Sequence, residues 1–382
     1  MGELKKVSKE DFALTSKRNY AAEKQRAQLS LFHDLEGLRS QREAGDIPVW
    51  QVALCLILCG LPYNETSERS YTRRARLGDG SWLTVTFTAT GKRYEQDENG
   101  EPVVDPTTGE QKETLVPLPY GADRGPLHYL INQAVLQAKE LQRQGLDTSA
   151  ARFVQWETAN QYLAQMGKST GGKNRDDLRA RIDRIKFCAI TVTRTARGGR
   201  EKTLLTPMFS RTDLLPRSLD SSKRVTKPSE QGISKTPAVT GVEFGQEFFE
   251  EFLLNHMPVP VHLLRSTMGR SQMQDYVLWL YWRAFAAKQD TLIPWPAVRE
   301  QLWQNDATKR RLYTRLKAAI ATLRSVWPEF RAEVNPKSFG PEGKQGDGLM
   351  IGPPRNGIYM FPGSSAPKQI TVIPSASSPR KR

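Results

Sequence analysis

The chain has 382 residues, of which 38% are hydrophobic, and its formal net charge is +15. This length suits two modest domains with tails, and the apolar share is enough for real cores. The positive excess attracts polyanions without specifying which one. The apolar run Leu54–Leu58 is much too short to span a bilayer, and the charged N-terminus shows no signal peptide. We therefore expect a cytoplasmic protein without a membrane partner.

Three cysteines, Cys55, Cys59 and Cys188, cannot form a disulfide framework, which favours a reducing compartment. Cys55 and Cys59 are spaced as neighbours on a helix, an arrangement that a metal could use. The chain has only four histidines, and they are widely scattered. We therefore interpret the two cysteines as small buried hydrophobes and expect neither a metal site nor a cofactor.

Residues 1–45 are polar and rich in Lys, Arg and Gln, which predicts a flexible N-terminal segment. Within it, Gln28, Leu29, Leu31 and Phe32 form an isolated apolar cluster. This cluster resembles the peptide by which bacterial replication and repair proteins dock on the polymerase sliding clamp. Such a peptide places two apolar side chains in a pocket while its glutamine hydrogen-bonds at the rim. The alternative is a helix over Ala22–Leu38 that packs Leu29, Phe32 and Leu35 on the body.

Residues 46–213 predict a first domain. Trp50–Leu61 is a buried element, and Trp82–Thr88 alternates as a strand does. The acidic, turn-rich segment Glu95–Glu113 predicts a long exposed hairpin. Leu127–Leu141 follows as an amphipathic helix.

The centre of this domain reads as helix, polar turn, basic helix and two strands. Glu157–Met166 predicts a short helix that ends at Gly167, where a residue without Cβ is the usual stop. Asn174 is placed to cap the next helix, which runs to Lys186. Its apolar stripe of Leu178, Ile182 and Ile185 faces inward, and its arginines lie on the flanks and the outer side.

A hairpin with a basic tip follows the basic helix. Ala189–Arg194 is an alternating strand, Arg197–Arg200 makes the turn, and Thr203 starts the return strand. A helix-turn-helix followed by such a hairpin is a winged helix. From Lys168 to Lys202 there are eleven Lys and Arg against four Asp and Glu. The alternative is an ordinary α+β domain with a solvated charged face, but a basic helix and a basic wing within reach of one duplex favour DNA.

Gly167–Lys173 also satisfies G-x-x-x-x-G-K, the phosphate cradle of P-loop NTPases. That chemistry needs a Ser or Thr next and a strand before, whereas Asn174 follows and a helix precedes. Backbone N–H groups at this helix start can instead hold a DNA phosphate. A nicking enzyme would need a metal-binding His cluster near a nucleophilic Tyr, which the scattered histidines do not provide. We therefore expect a protein that is not an enzyme.

Residues 214–240 predict a linker. Residues 241–361 predict a second domain with the same order of elements, namely support helices, a basic helix and a hairpin. Gln246–Asn255 predicts a helix that Pro258–Val261 breaks, and Gln272–Lys288 predicts a long helix with an aromatic core stripe. Lys309–Trp327 is the second basic helix. The strands Arg331–Val334 and Leu349–Ile351 can pair as the second wing. Residues 362–382 are rich in Ser, Pro and Lys and predict a disordered basic tail.

The second basic helix has an apolar inner stripe of Leu312, Leu316, Ile320 and Leu323. Its outer face carries small residues, which let a helix axis settle deep in a major groove while long cations reach phosphates or guanine edges. The fold class is therefore predicted as α+β, with two tandem winged-helix domains and flexible tails. The candidate DNA contacts are Lys168, Ser169, Thr170, Lys173, Asn174, Arg175, Arg179, Arg181, Arg184, Arg194, Arg197, Arg200, Lys202, Lys309, Arg310, Arg311, Thr314, Arg315 and Lys317.

Together, several segments resemble plasmid replication initiators of the RepA group. These segments are Leu118–Gly121, Met166–Gly172, Pro258–Leu264, Tyr276–Phe285 and Ile293–Trp295, and the resemblance runs from about Leu77 to Ile351. The Gln28–Phe32 peptide is similar to that of initiators of the TrfA kind, which also pair two winged-helix domains with a clamp-binding peptide.

The resemblance implies binding to origin repeats, called iterons, in double-stranded plasmid DNA. It also implies opening of an adjacent A·T-rich segment and recruitment of the DnaA initiator, the replicative helicase and the sliding clamp. Many such proteins repress their own promoter as homodimers, which controls plasmid copy number. The location implied is the bacterial cytoplasm, on the plasmid or nucleoid. A DNA-binding transcriptional repressor without a replisome role remains the alternative.

Overall fold

The computed structural model describes residues 36, 37, 40, 42, 47–77, 79–95, 102–155, 159–213, 241–302, 309–337, 346–357 and 360. The peptide Gln28, Leu29, Leu31 and Phe32, the linker 214–240 and the tail 362–382 lie outside these residues, and those three interpretations stay predictions. Of the predicted N-terminal segment 1–45, only residues 36, 37, 40 and 42 are described, and Arg42 forms an ion pair with Glu329.

The described chain contains both strands and α-helices. The strands are β1 (Val49–Ala53), β2 (Ser70–Arg76), β3 (Trp82–Ala89), β4 (Lys92–Tyr94), β5 (Glu113–Leu115), β6 (Phe153–Gln155), β7 (Cys188–Thr195), β8 (Glu201–Pro207), β9 (Phe209–Asp213), β10 (Gly241–Phe244), β11 (His256–Pro260), β12 (Thr291–Pro294), β13 (Ala332–Val334) and β14 (Gly348–Ile351). The α-helices are α1 (Leu54–Leu58), α2 (Arg124–Arg143), α3 (Ala159–Gln165), α4 (Gly172–Lys186), α5 (Gln246–Leu254), α6 (Val261–Thr267), α7 (Ser271–Ala286), α8 (Trp295–Leu302) and α9 (Lys309–Val326).

The first module is a winged helix built from α2, α3 and α4 with the hairpin of β7 and β8. The hairpin belongs to an antiparallel sheet in the order β2-β3-β7-β8. Leu178, Ile182 and Ile185 of α4 are buried, as their spacing predicts. The excursion after β3 is a hairpin of β4 and β5, extended by a bridge between Val104 and Gln111, which confirms that prediction.

The second module repeats the order helix, strand, helix, helix and hairpin. It uses α7, β12, α8 and α9, and its sheet has the order β12-β14-β13. Val334 pairs with Leu349, so the predicted second wing is present. Leu312, Leu316, Ile320 and Leu323 of α9 are buried. The α+β fold class with two tandem winged-helix modules is therefore confirmed.

One local prediction is wrong. Asn174 does not cap α4, because the helix already begins at Gly172 and Gly171 is its N-cap. The Asn174 amide instead donates hydrogen bonds to the Ser169 carbonyl and hydroxyl oxygens, at 2.8 and 2.9 Å, which closes the preceding turn.

The helix Gln246–Leu254 ends before Pro258–Val261, as predicted, but the strand that follows it was not predicted. Residues His256–Pro260 form β11, which pairs with β1 through Val49–Pro260 and Trp50–Val259. Proline lacks the N–H that a central strand needs, but a strand with one neighbour tolerates it. In its two-stranded sheet β11 is paired on one side only.

The two modules are connected by strands and by a hydrophobic core that both contribute to. β10, which the sequence assigns to the second domain, pairs with β6 and β9 of the first. The strand β1 pairs with β11, and α1 packs against α7. The buried apolar side chains of both modules belong to one continuous cluster. The predicted domain boundaries are thus crossed by two sheets and one core.

A buried cluster of charges also joins the modules. Asp275 of α7 lies between Arg73 of β2 and Arg124 of α2, and all three residues are 3% exposed. Arg73 Nη1 donates to Asp275 Oδ2 at 2.5 Å, and Arg124 Nε lies 3.4 Å from Oδ1. Arg124 also donates to the carbonyl oxygens of Leu61, Pro62 and Gly121. These bonds satisfy polar groups that would otherwise be buried without partners.

The replacement Asp275→Asn should lower the free energy of unfolding by about 3–5 kcal/mol, because it leaves two buried arginines without a counter-charge. Urea denaturation followed by circular dichroism measures this loss. The control is Glu140→Gln, which removes an exposed ion pair with Arg143 and should cost less than about 1 kcal/mol. Equal small losses for both variants would show that the buried cluster does not hold the modules together.

A second buried titratable group lies near this cluster. His128 of α2 is 2% exposed. Burial, and to a lesser degree the positive charge of Arg124, lowers the pKa of His128 to about 3. The imidazole is therefore neutral in the folded protein at pH values where it would be protonated in the unfolded chain.

We expect His128 to make the folded protein acid-sensitive. Between about pH 6.5 and pH 3 only the unfolded chain binds this proton, so the free energy of unfolding falls by about 1.4 kcal/mol for each pH unit lost. His128→Gln should remove that contribution, whatever its own cost in stability. Urea denaturation at several pH values measures how the free energy of unfolding depends on pH, for the wild-type protein and for the variant. Identical slopes for the two proteins would contradict the assignment.

Candidate nucleic-acid interface

The turn before α4 and the start of that helix are open to solvent. Ser169, Thr170 and Lys173 are exposed, while Lys168 is half-buried. Burial, with Arg181 adding to it, lowers the pKa of Lys168. No side chain caps the start of α4. A Cβ added at Gly171 or Gly172 would meet nothing within 4 Å. A phosphate therefore has room to approach these backbone N–H groups and the positive end of the helix dipole.

The arginines of α4 divide into two groups. Arg175 is exposed and Arg179 is half-buried. Arg181 donates to the Ala122 carbonyl oxygen at 3.1 Å. Arg184 donates to both carboxylate oxygens of the buried Asp123, at 2.7 and 2.8 Å. The guanidinium group of Arg184 is therefore engaged in this pair, and its contact with DNA stays a prediction.

The wing places its cations at the tip of the β7–β8 hairpin. Arg197, Arg200 and Lys202 are exposed there, beside a turn in which Gly199 has φ of +81°. Arg194 lies further down the strand and forms an ion pair with Glu251 of α5. That pair is partly buried and joins the wing to α5, so Arg194 has a structural role, and its contact with a phosphate stays a prediction.

The outer face of α9 is basic and otherwise made of small side chains. Arg310, Arg311, Thr314 and Lys317 are exposed, as are the small residues Ala318 and Ala321. Arg315 is half-buried and turns toward a groove beside the helix. Lys309 is the first residue of α9. Within α9, Lys309–Val326, there is no Asp or Glu.

An open groove of about 940 Å³ lies at the junction of the modules. It is lined by residues 62–66, 68, 70–72, 269–273 and 276 and by Arg315 of α9. Glu65 on its wall accepts a hydrogen bond from the Tyr120 hydroxyl at 3.1 Å. The Arg184 guanidinium of α4 stacks over the Tyr120 ring at 4.8 Å. Arg315 therefore brings α9 to the groove directly. Helix α4 is linked to the groove wall through the contacts of Arg184 with Tyr120 and of Tyr120 with Glu65.

The structure adds two candidate cations that the sequence reasoning did not select. Arg74 and Arg76 of β2 are exposed and lie over the Trp82 ring, at 4.0 and 5.9 Å from its centre. Both stand on the outer face of the sheet that carries the wing. The period of two in Ser70–Arg76 could have identified them, because it places Arg73 inside and its neighbours outside.

No group of three or more His, Cys, Asp and Glu side chains within the described ranges is placed to hold a metal ion. None of the helices in those ranges is both long enough and apolar enough to cross a membrane. The segment Gly167–Lys173 connects two helices and follows α3 rather than a strand. It thus lacks the strand-loop-helix geometry of a P-loop.

No protein-family model and no curated protein matches the chain. Among solved structures, the chain is similar to crystal structures of domains 2 and 3 of RctB. A selenomethionine derivative matches over 76% of this chain and 92% of that chain, with 15% identity and a TM-score of 0.41. A second structure of these domains matches over 78% and 95%, with 14% identity and a TM-score of 0.33. Scores of this size describe a similar arrangement of elements and carry no functional inference.

We expect Arg197→Ala to weaken binding to every duplex about equally, because a cation at the wing tip contacts phosphates and not bases. The slope of log K against log salt should become shallower by about 0.9 for the lost phosphate contact. Fluorescence anisotropy with two unrelated duplexes across a salt series measures both effects. Arg143→Ala removes an exposed charge at the far end of α2 and serves as the control. The same change in slope for both variants would argue against a wing contact.

Proposed function

We propose that this protein is a plasmid replication initiator that binds repeated sites in an origin without cleaving any bond. One observation carries the proposal: each module presents its third helix, α4 or α9, with a basic, exposed side. Third helices of winged-helix modules are the elements that enter a major groove. A chain with two such helices on one continuous core is suited to read two grooves of one duplex.

In this proposal α4 and α9 read successive major grooves within one repeat. Lys173 and Arg175 on α4, and Arg310, Arg311 and Lys317 on α9, are the exposed cations that reach guanine edges or phosphates. The Ser169–Thr170 turn and the wing tip contact the phosphates of the DNA backbone. Opening of the adjacent A·T-rich segment follows from tighter binding to bent or single-stranded DNA, and it needs no hydrolysis.

The resemblance to initiators of the RepA and TrfA kind supports a role in replication rather than in transcription alone. On this proposal the DnaA initiator, the replicative helicase and the sliding clamp are the host partners, and the clamp is bound by Gln28, Leu29, Leu31 and Phe32. The protein also forms homodimers that repress its own promoter. The second candidate is a transcriptional repressor. The exposed cations of α4 and α9 suit it equally well, because operator binding needs no replisome contact.

Replacing Leu31 and Phe32 together by alanine should abolish plasmid maintenance and leave the footprint on the DNA flanking the gene unchanged. The physical reason is that the clamp peptide is separate from the two reading helices. A plasmid-loss assay and a DNase footprint measure the two effects. Leu35→Ala is the matched control, because it lies outside the peptide but on the same face in the alternative packed helix.

Three results would contradict this proposal in different ways. Loss of neither maintenance nor footprint in the double variant would favour the repressor. A loss of maintenance in Leu35→Ala as large as in the double variant would favour a packed helix. The absence of any footprint for the wild-type protein would remove DNA recognition itself.

A further inference from the structure

A shallow depression lies on the exposed face of α9. It has a volume of about 610 Å³ and is lined by Arg310, Tyr313, Thr314 and Lys317. These positions are spaced i, i+3, i+4 and i+7, so they follow one face of the helix. The lining consists of an aromatic side chain, a threonine and two cationic side chains. We refer to it as the α9 slot.

The Tyr313 ring is held in place from the core side. It lies 5.8 Å from the Trp295 ring, with the ring planes tilted by 36°. Trp295 Nε1 donates to Asn335 Oδ1 at 2.9 Å, which ties that ring to the second wing. On the other side, Lys317 Nζ lies 4.5 Å from the centre of the Tyr313 ring. The slot therefore has a rigid wall before any ligand arrives.

Thr314 brings a methyl group to the lining of the slot, and its hydroxyl group is engaged within the helix. Its Oγ1 donates to the Arg310 carbonyl oxygen at 3.0 Å, so the hydroxyl proton is already used within the helix. The side chain is exposed. Ala318 and Ala321 extend the same small, apolar surface toward the C-terminus. A base edge that meets this surface therefore finds methyl groups at Thr314, Ala318 and Ala321, and no free hydroxyl proton at Thr314.

The surroundings of the slot restrict what it can bind. Exposed cations flank it, and α9 contains no acid, so a polyanion is the complementary partner. Among the groups that base pairs present in a major groove, the C5-methyl of thymine is the apolar one. Methyl groups of threonine and alanine are the usual contacts for it.

Resting on the proposed function, we propose that the α9 slot receives the 5-methyl group of a thymine and so specifies an A·T pair at one position of the site. Thr314 and Tyr313 form the contact, and Arg310 and Lys317 flank it. The slot thus reads sequence by burying a methyl group, while the neighbouring cations supply affinity. Removing the 5-methyl group of the thymine or the methyl group of Thr314 should then weaken binding by the same factor.

The test replaces each thymine of the footprinted site, one at a time, by deoxyuridine, which removes only the 5-methyl group. One position should weaken wild-type binding about fourfold, the value expected for one buried methyl group. Thr314→Ser removes the protein's methyl group and keeps the hydroxyl bond to Arg310. This variant should bind the natural site about fourfold more weakly and should no longer respond to deoxyuridine at that position.

Thr322→Ser is the matched control, because Thr322 of the same helix makes the equivalent hydroxyl bond to the Ala318 carbonyl oxygen at 3.0 Å. It should keep the full deoxyuridine response. If no thymine position affects wild-type binding, or if Thr314→Ser keeps the response, the slot proposal fails while the footprint still stands. If no footprint exists, the proposed function fails and the slot proposal fails with it. The wild-type arm uses no variant, so the absence of any sensitive thymine overturns the slot proposal even if Thr314→Ser folds poorly.

Discussion

The structure depends on one buried charge cluster, in which Asp275 of α7 lies between Arg73 and Arg124 of the first module. In a medium of low dielectric an unpaired charge is very costly, so the two modules cannot separate here without exposing or neutralising the cluster. The shared strands β1 and β11 add a second connection at a different place. Together they keep α4 and α9 in one fixed relation, which recognition of two grooves by one chain requires.

The same reasoning divides the arginines of this basic protein into two kinds. Arg184 and Arg194 pair with Asp123 and Glu251, and they hold helices and the wing together. Arg197 and Arg310 are exposed and free to face a polyanion. The net charge of +15 therefore describes the long-range attraction, while a smaller set of cations makes the interface. The groove at the junction and the α9 slot are regions that this smaller set borders.

The local sequence pattern was sufficient to predict the buried side of a segment wherever its apolar residues recur with a strong period and the segment packs on its neighbours. The stripe of α9 and the alternation of β3 each predict which side is buried, since both follow from the geometry of a single element. The Gly167 stop is of the same kind, with φ of +65° in the structure. Local pattern failed for Asn174 and did not reveal β11, because a helix start shifted by three residues and a strand that contains prolines depend on partners elsewhere in the chain.

The sequence by itself determined the α+β class, the two basic helices, the two wings and the inner faces of both helices. These follow from periodicity and turn chemistry within about twenty residues. Only the tertiary structure decided which arginines are available, since Arg184 and an exposed wing arginine look alike until a buried carboxylate 61 positions away takes one of them. It also decided that the two modules form one body, because pairing of β1 with β11 and of Arg73 with Asp275 joins residues about 200 positions apart.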